Sequence, residues 1–162
     1  MSVLPTFMVR GANLAAIQAR GMTLISHDGS EQVARNVKAS NDYAATGPQD
    51  LVILAVKANQ VEAVLADLPK LLGPKTVIVT MQNGVPFWYF HGHGGTFQGR
   101  QITSVDPGGA ILAAIPAERI LGCVVYPASE LLEPGVVKHI EGDRFPLGEL
   151  DGSTSERVQA IS

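Results

Sequence analysis

The sequence predicts an α/β fold: a parallel sheet with helices on its faces, incomplete for want of its usual first strand, plus β-hairpins. Three observations predict it. Residues 51–56 and 76–81 are almost uninterrupted apolar runs, and they end abruptly in Lys57-Ala58-Asn59-Gln60 and Gln82-Asn83-Gly84. Such runs read as strands buried on both faces, as in a parallel sheet covered by helices. Between them Val61, Val64, Leu65, Leu68, Leu71 and Leu72 fall on one helical stripe. Strand, helix and strand make a βαβ unit.

The remaining elements follow in chain order. Residues 1–8 show no clear period, and Pro5 stands where a strand would want its amide. Residues 12–20 predict a short helix with Leu14 and Ile17 on one face and Gly21 as its stop. Residues 22–27 and 32–37 predict two strands joined through the turn dipeptide Asp28-Gly29. Gly47-Pro48-Gln49-Asp50 reads as a loop into the first buried strand. Residues 85–90 suit one or two helical turns, and residues 91–99, with four of the chain's 17 glycines, read as loop. Residues 120–126 predict a further strand. Residues 135–140 and 144–148 predict a hairpin around Glu141-Gly142-Asp143. Ser153, with Glu156 three residues on, resembles a capping box that opens a final helix.

Composition excludes several function classes. A chain of 162 residues with 46% hydrophobic residues is sized for one domain with a proper core, or one and a piece of another. A net charge of −3 offers no basic field for a nucleic-acid backbone. No apolar run is long enough for a membrane helix, and the N-terminus lacks a leader pattern. The single cysteine, Cys123, excludes an internal disulfide and fits a reducing compartment, so a cytoplasmic protein is expected. Cys123 sits in an apolar strand and reads as a buried, inert thiol.

Open α/β sheets bind ligands beyond the carboxyl ends of their strands, so Lys57 and Asn83 are the first candidates. A cation there attracts phosphate or carboxylate; the plain alternative is a solvated lysine at a strand end. An amide there can donate and accept at once, which suits a ribose or substrate hydroxyl; the alternative is an ordinary Asn-Gly turn. Arg10, before Gly11 and a helix, would alone be an ordinary surface arginine. His91 and His93 are too few for a zinc site, so no metal is expected. The chain contains no Gly-x-Gly-x-x-Gly, no Gly-x-x-x-x-Gly-Lys and no Gly-x-Ser-x-Gly. A dinucleotide site without its glycine turn lacks the backbone cradle for the pyrophosphate.

Together these features resemble the ketopantoate reductase (2-dehydropantoate 2-reductase) family, over about residues 9–152. The resemblance is carried by Val9-Arg10-Gly11, the strand and turn at 23–29, Lys57-Ala58-Asn59-Gln60, Met81-Gln82-Asn83-Gly84, residues 122–128 and Pro134-Gly135-Val136-Val137-Lys138-His139. It implies a Rossmann-type NADPH-binding domain that reduces the ketone of 2-ketopantoate, a small 2-oxo acid, to pantoate. It implies that Arg10 reads the adenosine 2′-phosphate and that Lys57 and Gln60 contact the cofactor. It places Asn83 near the nicotinamide ribose and the substrate, and a backbone contact at Ala128.

The departures from the family shape further expectations. Family members begin with a strand and a glycine loop that are missing here. Their catalytic lysine lies in a helical C-terminal domain, so no catalytic residue is assigned. Residues 1–152 are expected to be a partial NADP-binding domain, and 153–162 the start of a linker helix; the chain alone is expected to be inactive. Without the joining strand, self-association through exposed sheet edges is expected. Two alternatives stay open: a non-catalytic remnant or small α/β binding module, and an NADP-dependent reductase of another 2-oxo acid.

Overall fold

The computed structural model describes residues 4–162, so the expectation for residues 1–8 lies partly outside the described residues. The chain has strands β1 (Thr6–Met8), β2 (Met22–Ile25), β3 (Glu31–Ala34), β4 (Lys38–Ser40), β5 (Gln49–Leu54), β6 (Leu72–Met81), β7 (Ile120–Cys123), β8 (Ala128–Glu133), β9 (Val136–Glu141) and β10 (Leu147–Gly148). Its α-helices are α1 (Gly11–Arg20), α2 (Tyr43–Thr46), α3 (Ala110–Ala114) and α4 (Glu156–Ile161). These elements divide into two compact units. The first runs to Thr46 and adds Tyr126–Arg144; the second is Gly47–Val125 with Phe145–Ser162.

In the first unit, β1 pairs in parallel with β4 as a two-stranded sheet. The apolar stripe of α1 buries Ala16 and Ile17, and the helix ends as its glycine predicts: Gly21 adopts φ 82° and its N–H donates to the Ile17 carbonyl. The Asp28-Gly29 hairpin forms as expected, joining β2 and β3 antiparallel. The second predicted hairpin is corrected. β9 pairs antiparallel with β8, through Pro134-Gly135, and in parallel with β2. Gly135 takes φ 78°, which only glycine adopts without strain, so this dipeptide makes the reversal. The Glu-Gly-Asp segment instead leads out to β10, in the second unit.

The second unit is built on the parallel strands β5, β6 and β7, with β10 antiparallel beyond β7. Val79 and Leu121, adjacent in register, pack with Cys123 beneath Val158 and Ile161 of α4. Burial in this cluster pushes the Cys123 thiol upward, in keeping with an inert cysteine. Ile53 lies beside Val79 on that face but one strand further out, and it is 53% exposed. The expectation of burial on both faces therefore fails for β5. Val52 and Leu54 are buried, Leu51 and Ile53 are not, and β5 is the edge of its sheet.

Between β5 and β6 the apolar stripe is present but the predicted helix is not. Val61, Leu68 and Leu71 are buried by three short 3-10 turns, Ala58–Gln60, Glu62–Val64 and Leu68–Leu71. The bonds run three residues back, as from Gln60 to Lys57 and from Val64 to Val61, and Pro69, at the start of the third turn, has no N–H to offer Leu65. Residues 85–90 form two successive tight turns, closed from Tyr89 N–H to the Pro86 carbonyl and from His91 N–H to the Trp88 carbonyl. The carboxylate of Asp106, 1% exposed, accepts the N–H groups of Ile111 and Leu112 and so starts α3. The strand predicted over 120–126 ends at Cys123, and the cap of α4 is Ser155 rather than Ser153, its hydroxyl accepting the Val158 N–H.

Candidate functional site

The candidate site lies at the carboxyl ends of β5, β6 and β7. A cleft of about 290 Å³ opens there, lined by Ala55, Val56, Lys57, Ala58, Met81, Gln82, Asn83 and Val125. Both strand-end candidates, Lys57 and Asn83, thus face one cavity. The apolar runs of β5 and β6 stop together because the two strands are parallel and in register, Leu54 beside Thr80.

Lys57 follows the end of β5 in an extended conformation, φ −59° and ψ 147°, and caps the first 3-10 turn. Its side chain is exposed and no ion pair among the described residues includes it. Gln60, also exposed, closes that turn: its N–H donates to the Lys57 carbonyl at 2.8 Å. Asn83 does donate and accept at once, but to its own chain. Its Nδ2 donates to the Val125 carbonyl at 2.9 Å, and its Oδ1 accepts the Val125 N–H at 3.0 Å. One Nδ2 hydrogen and part of the Oδ1 accepting capacity remain for a ligand.

The neighbouring amide was not singled out in the sequence. Gln82 Nε2 donates to the Val56 carbonyl at 2.8 Å. Gln82 and Asn83 therefore tie the end of the central strand β6 to the ends of both neighbours. Beneath them Trp88 Nε1 donates to the buried Thr80 hydroxyl at 3.3 Å, and the indole lies against Gly122, where an added Cβ would meet Cη2 at 2.7 Å. Two consecutive amides at a strand exit were the available signal for Gln82. Its partner depends on strand register, which the sequence does not display.

The other two candidates are in the first unit. Arg10, exposed, is the N-terminal flanking residue of the ten-residue α1, whose first turn carries no acidic residue and no side-chain cap. A guanidinium beside uncapped helix N–H groups suits an anion. Ala128, half-buried, is the first residue of β8, opposite Glu141 at a register shift. Among the described residues no three His, Cys, Asp or Glu side chains gather as a metal site, and no helix is long and apolar enough to cross a membrane.

The sequence matches the model of the ketopantoate reductase PanE/ApbA family over residues 3–152. The chain belongs to that family. It is 49% identical over 157 residues to a 2-dehydropantoate 2-reductase of Mesorhizobium japonicum, covering 97% of this chain and 48% of that protein. An oxidoreductase of Bacillus subtilis, YkpB, is 26% identical over 157 residues, 96% of this chain and 44% of the relative. Among solved structures, one described as a ketopantoate reductase from Ralstonia solanacearum MolK2 superposes with a TM-score of 0.90 at 42% identity, over 98% of this chain and 48% of that one. The 2-dehydropantoate 2-reductase of Geobacter metallireducens gives 0.74 at 26% identity, over 96% of this chain and 44% of that one. The chain thus spans about half the length of the relatives it matches. These likenesses are to the oxidoreductase family's Rossmann-like half, which makes the α/β reading correct as a class.

Proposed function

We propose that this chain carries the cofactor side of an NADPH-dependent reductase of a small 2-oxo acid, 2-ketopantoate by family likeness. The observation that carries the reading is the cleft at the ends of β5 and β6, where Lys57, in no ion pair among the described residues, stands with two amides beside Ala55 and Ala58. That donor set fits the phosphates and hydroxyls of a dinucleotide, and Ala55 and Ala58 let a ligand approach the backbone closely. Bound NADPH would supply the hydride. In this reading Lys57 binds a phosphate oxygen, Gln60 contacts the cofactor, and Asn83 directs its remaining donor and acceptor at the nicotinamide ribose and the substrate. Arg10 and the Ala128 backbone, in the first unit, are proposed as further cofactor contacts, Arg10 to the 2′-phosphate. No residue of the chain is assigned as the general acid.

If Arg10 reads the 2′-phosphate, NADPH should bind more tightly than NADH. Arg10→Ala should remove roughly 1.5–3 kcal/mol from NADPH binding alone, the worth of a charge-assisted hydrogen bond. Calorimetric titration of both nucleotides measures this. Equal affinity for NADPH and NADH would sink the assignment, and so would an Arg10→Ala variant that binds NADPH as wild type does.

A further inference from the structure

We propose that Gln82 is a positioning residue, holding the peptide that aims Lys57 at the anionic ligand of the cleft. The inference rests on the proposed reading of Lys57 as a phosphate contact. Lys57 lies where β5 has ended and the first 3-10 turn begins, so the strand ladder no longer fixes its direction. Two hydrogen bonds replace the ladder. The carbonyl of Lys57 accepts the Gln60 N–H at 2.8 Å, and the carbonyl before it, that of Val56, accepts Gln82 Nε2 at 2.8 Å. The peptide planes on both sides of the Lys57 Cα are therefore held, one by the turn and one by Gln82.

A lysine has a long, rotamer-rich stem, and ordering it on binding is costly. Fixing the direction in which that stem leaves the backbone removes part of the cost. The neighbouring Asn83 is anchored to Val125, on the far side of β6, so it does not share this task. Simple fastening of β5 to β6 would change stability and binding independently of Lys57. Positioning instead requires that the effect of Gln82 pass through Lys57.

A double-mutant cycle on the full chain separates the two, using Gln82→Met, which keeps the length and removes the donor, with Lys57→Ala and the pair. NADPH is the probe. Gln82→Met is expected to weaken NADPH about five- to tenfold, as loss of one hydrogen bond's worth of free energy. In the Lys57→Ala background it should have no further effect. Additive losses, or an unchanged NADPH affinity in Gln82→Met, would overturn the inference while leaving the Lys57 reading intact. If Lys57→Ala binds NADPH as wild type does, or wild type does not bind it, the Lys57 reading fails and the inference falls with it. Should Gln82→Met not fold, the wild-type protein decides by NMR. A coupling across the hydrogen bond from Gln82 Nε2 to the Val56 carbonyl, with an ordered Lys57 Cβ, supports positioning; a freely averaging Gln82 amide overturns it.

Discussion

Gly122 sits under Trp88 with no room for a methyl group, since an added Cβ would lie 2.7 Å from Cη2 and 3.0 Å from Cζ2. The indole cannot easily retreat, because its Nε1 is bonded to the Thr80 hydroxyl. Gly122→Ala should therefore destabilise the protein by about 1–3 kcal/mol, the usual cost of overpacking. Urea unfolding followed by Trp88 emission, from the chain's single tryptophan, measures this. An unchanged midpoint would show that the contact is slack. At this scale the site was partly legible. That Lys57 and Asn83 would meet at one cleft could be read, because apolar runs of parallel strands stop at them. That Asn83 spends two hydrogen bonds on Val125, and that Gln82 reaches Val56, could not be read, because both depend on which strands lie beside β6.

The elements show the same division between local and distant causes. The β2–β3 hairpin was legible because Asp28-Gly29 makes its own turn. The β8–β9 pairing was not, because Ala128–Glu133 mixes polar and apolar residues and finds its partner only in the folded sheet. The stripe over residues 60–72 named the buried residues but not the bonding, since apolar spacing hardly separates α from successive 3-10 turns. At the C-terminus, α4 is held by more than its cap. Glu149 accepts Arg157 Nε at 2.7 Å, Arg157 Nη2 at 2.5 Å and the Ser155 hydroxyl at 2.5 Å. The Arg157 hydrogen bonds hold the Glu149 carboxyl below the ordinary glutamate range. A carboxyl depressed on folding stabilises the protein above its unfolded value, and that contribution is lost as pH falls through the folded one. Thermal stability should therefore drop below about pH 4.5 more steeply in wild type than in Glu149→Gln. Above that range Glu149→Gln should cost roughly 1.5–3 kcal/mol, as for a hydrogen bond to a charged group. Parallel acid slopes for the two proteins would contradict this.

For the whole molecule, the parallel architecture was legible and its division was anticipated in one respect. Among the described residues, the strand leading to Arg10 and the β5–β6–β7 group lie in separate sheets, with β1 paired only to β4 and β5 an edge. Leu51 and Ile53 are exposed on that edge strand. An open parallel edge with apolar side chains is a template for further pairing, so we propose that the chain self-associates. Light scattering should show dimers or larger species growing with concentration. A concentration-independent monomer with one sharp unfolding transition would contradict it. The dinucleotide site proposed here lies at the carboxyl ends of β5 and β6. Its most direct test is the map of amide NMR shifts when NADPH is added to the isotope-labelled 162-residue chain. The largest shifts in the second unit should fall on Lys57, Ala58, Gln60, Gln82 and Asn83. Shifts confined to other residues of that unit, or no shifts at saturating NADPH, would contradict it.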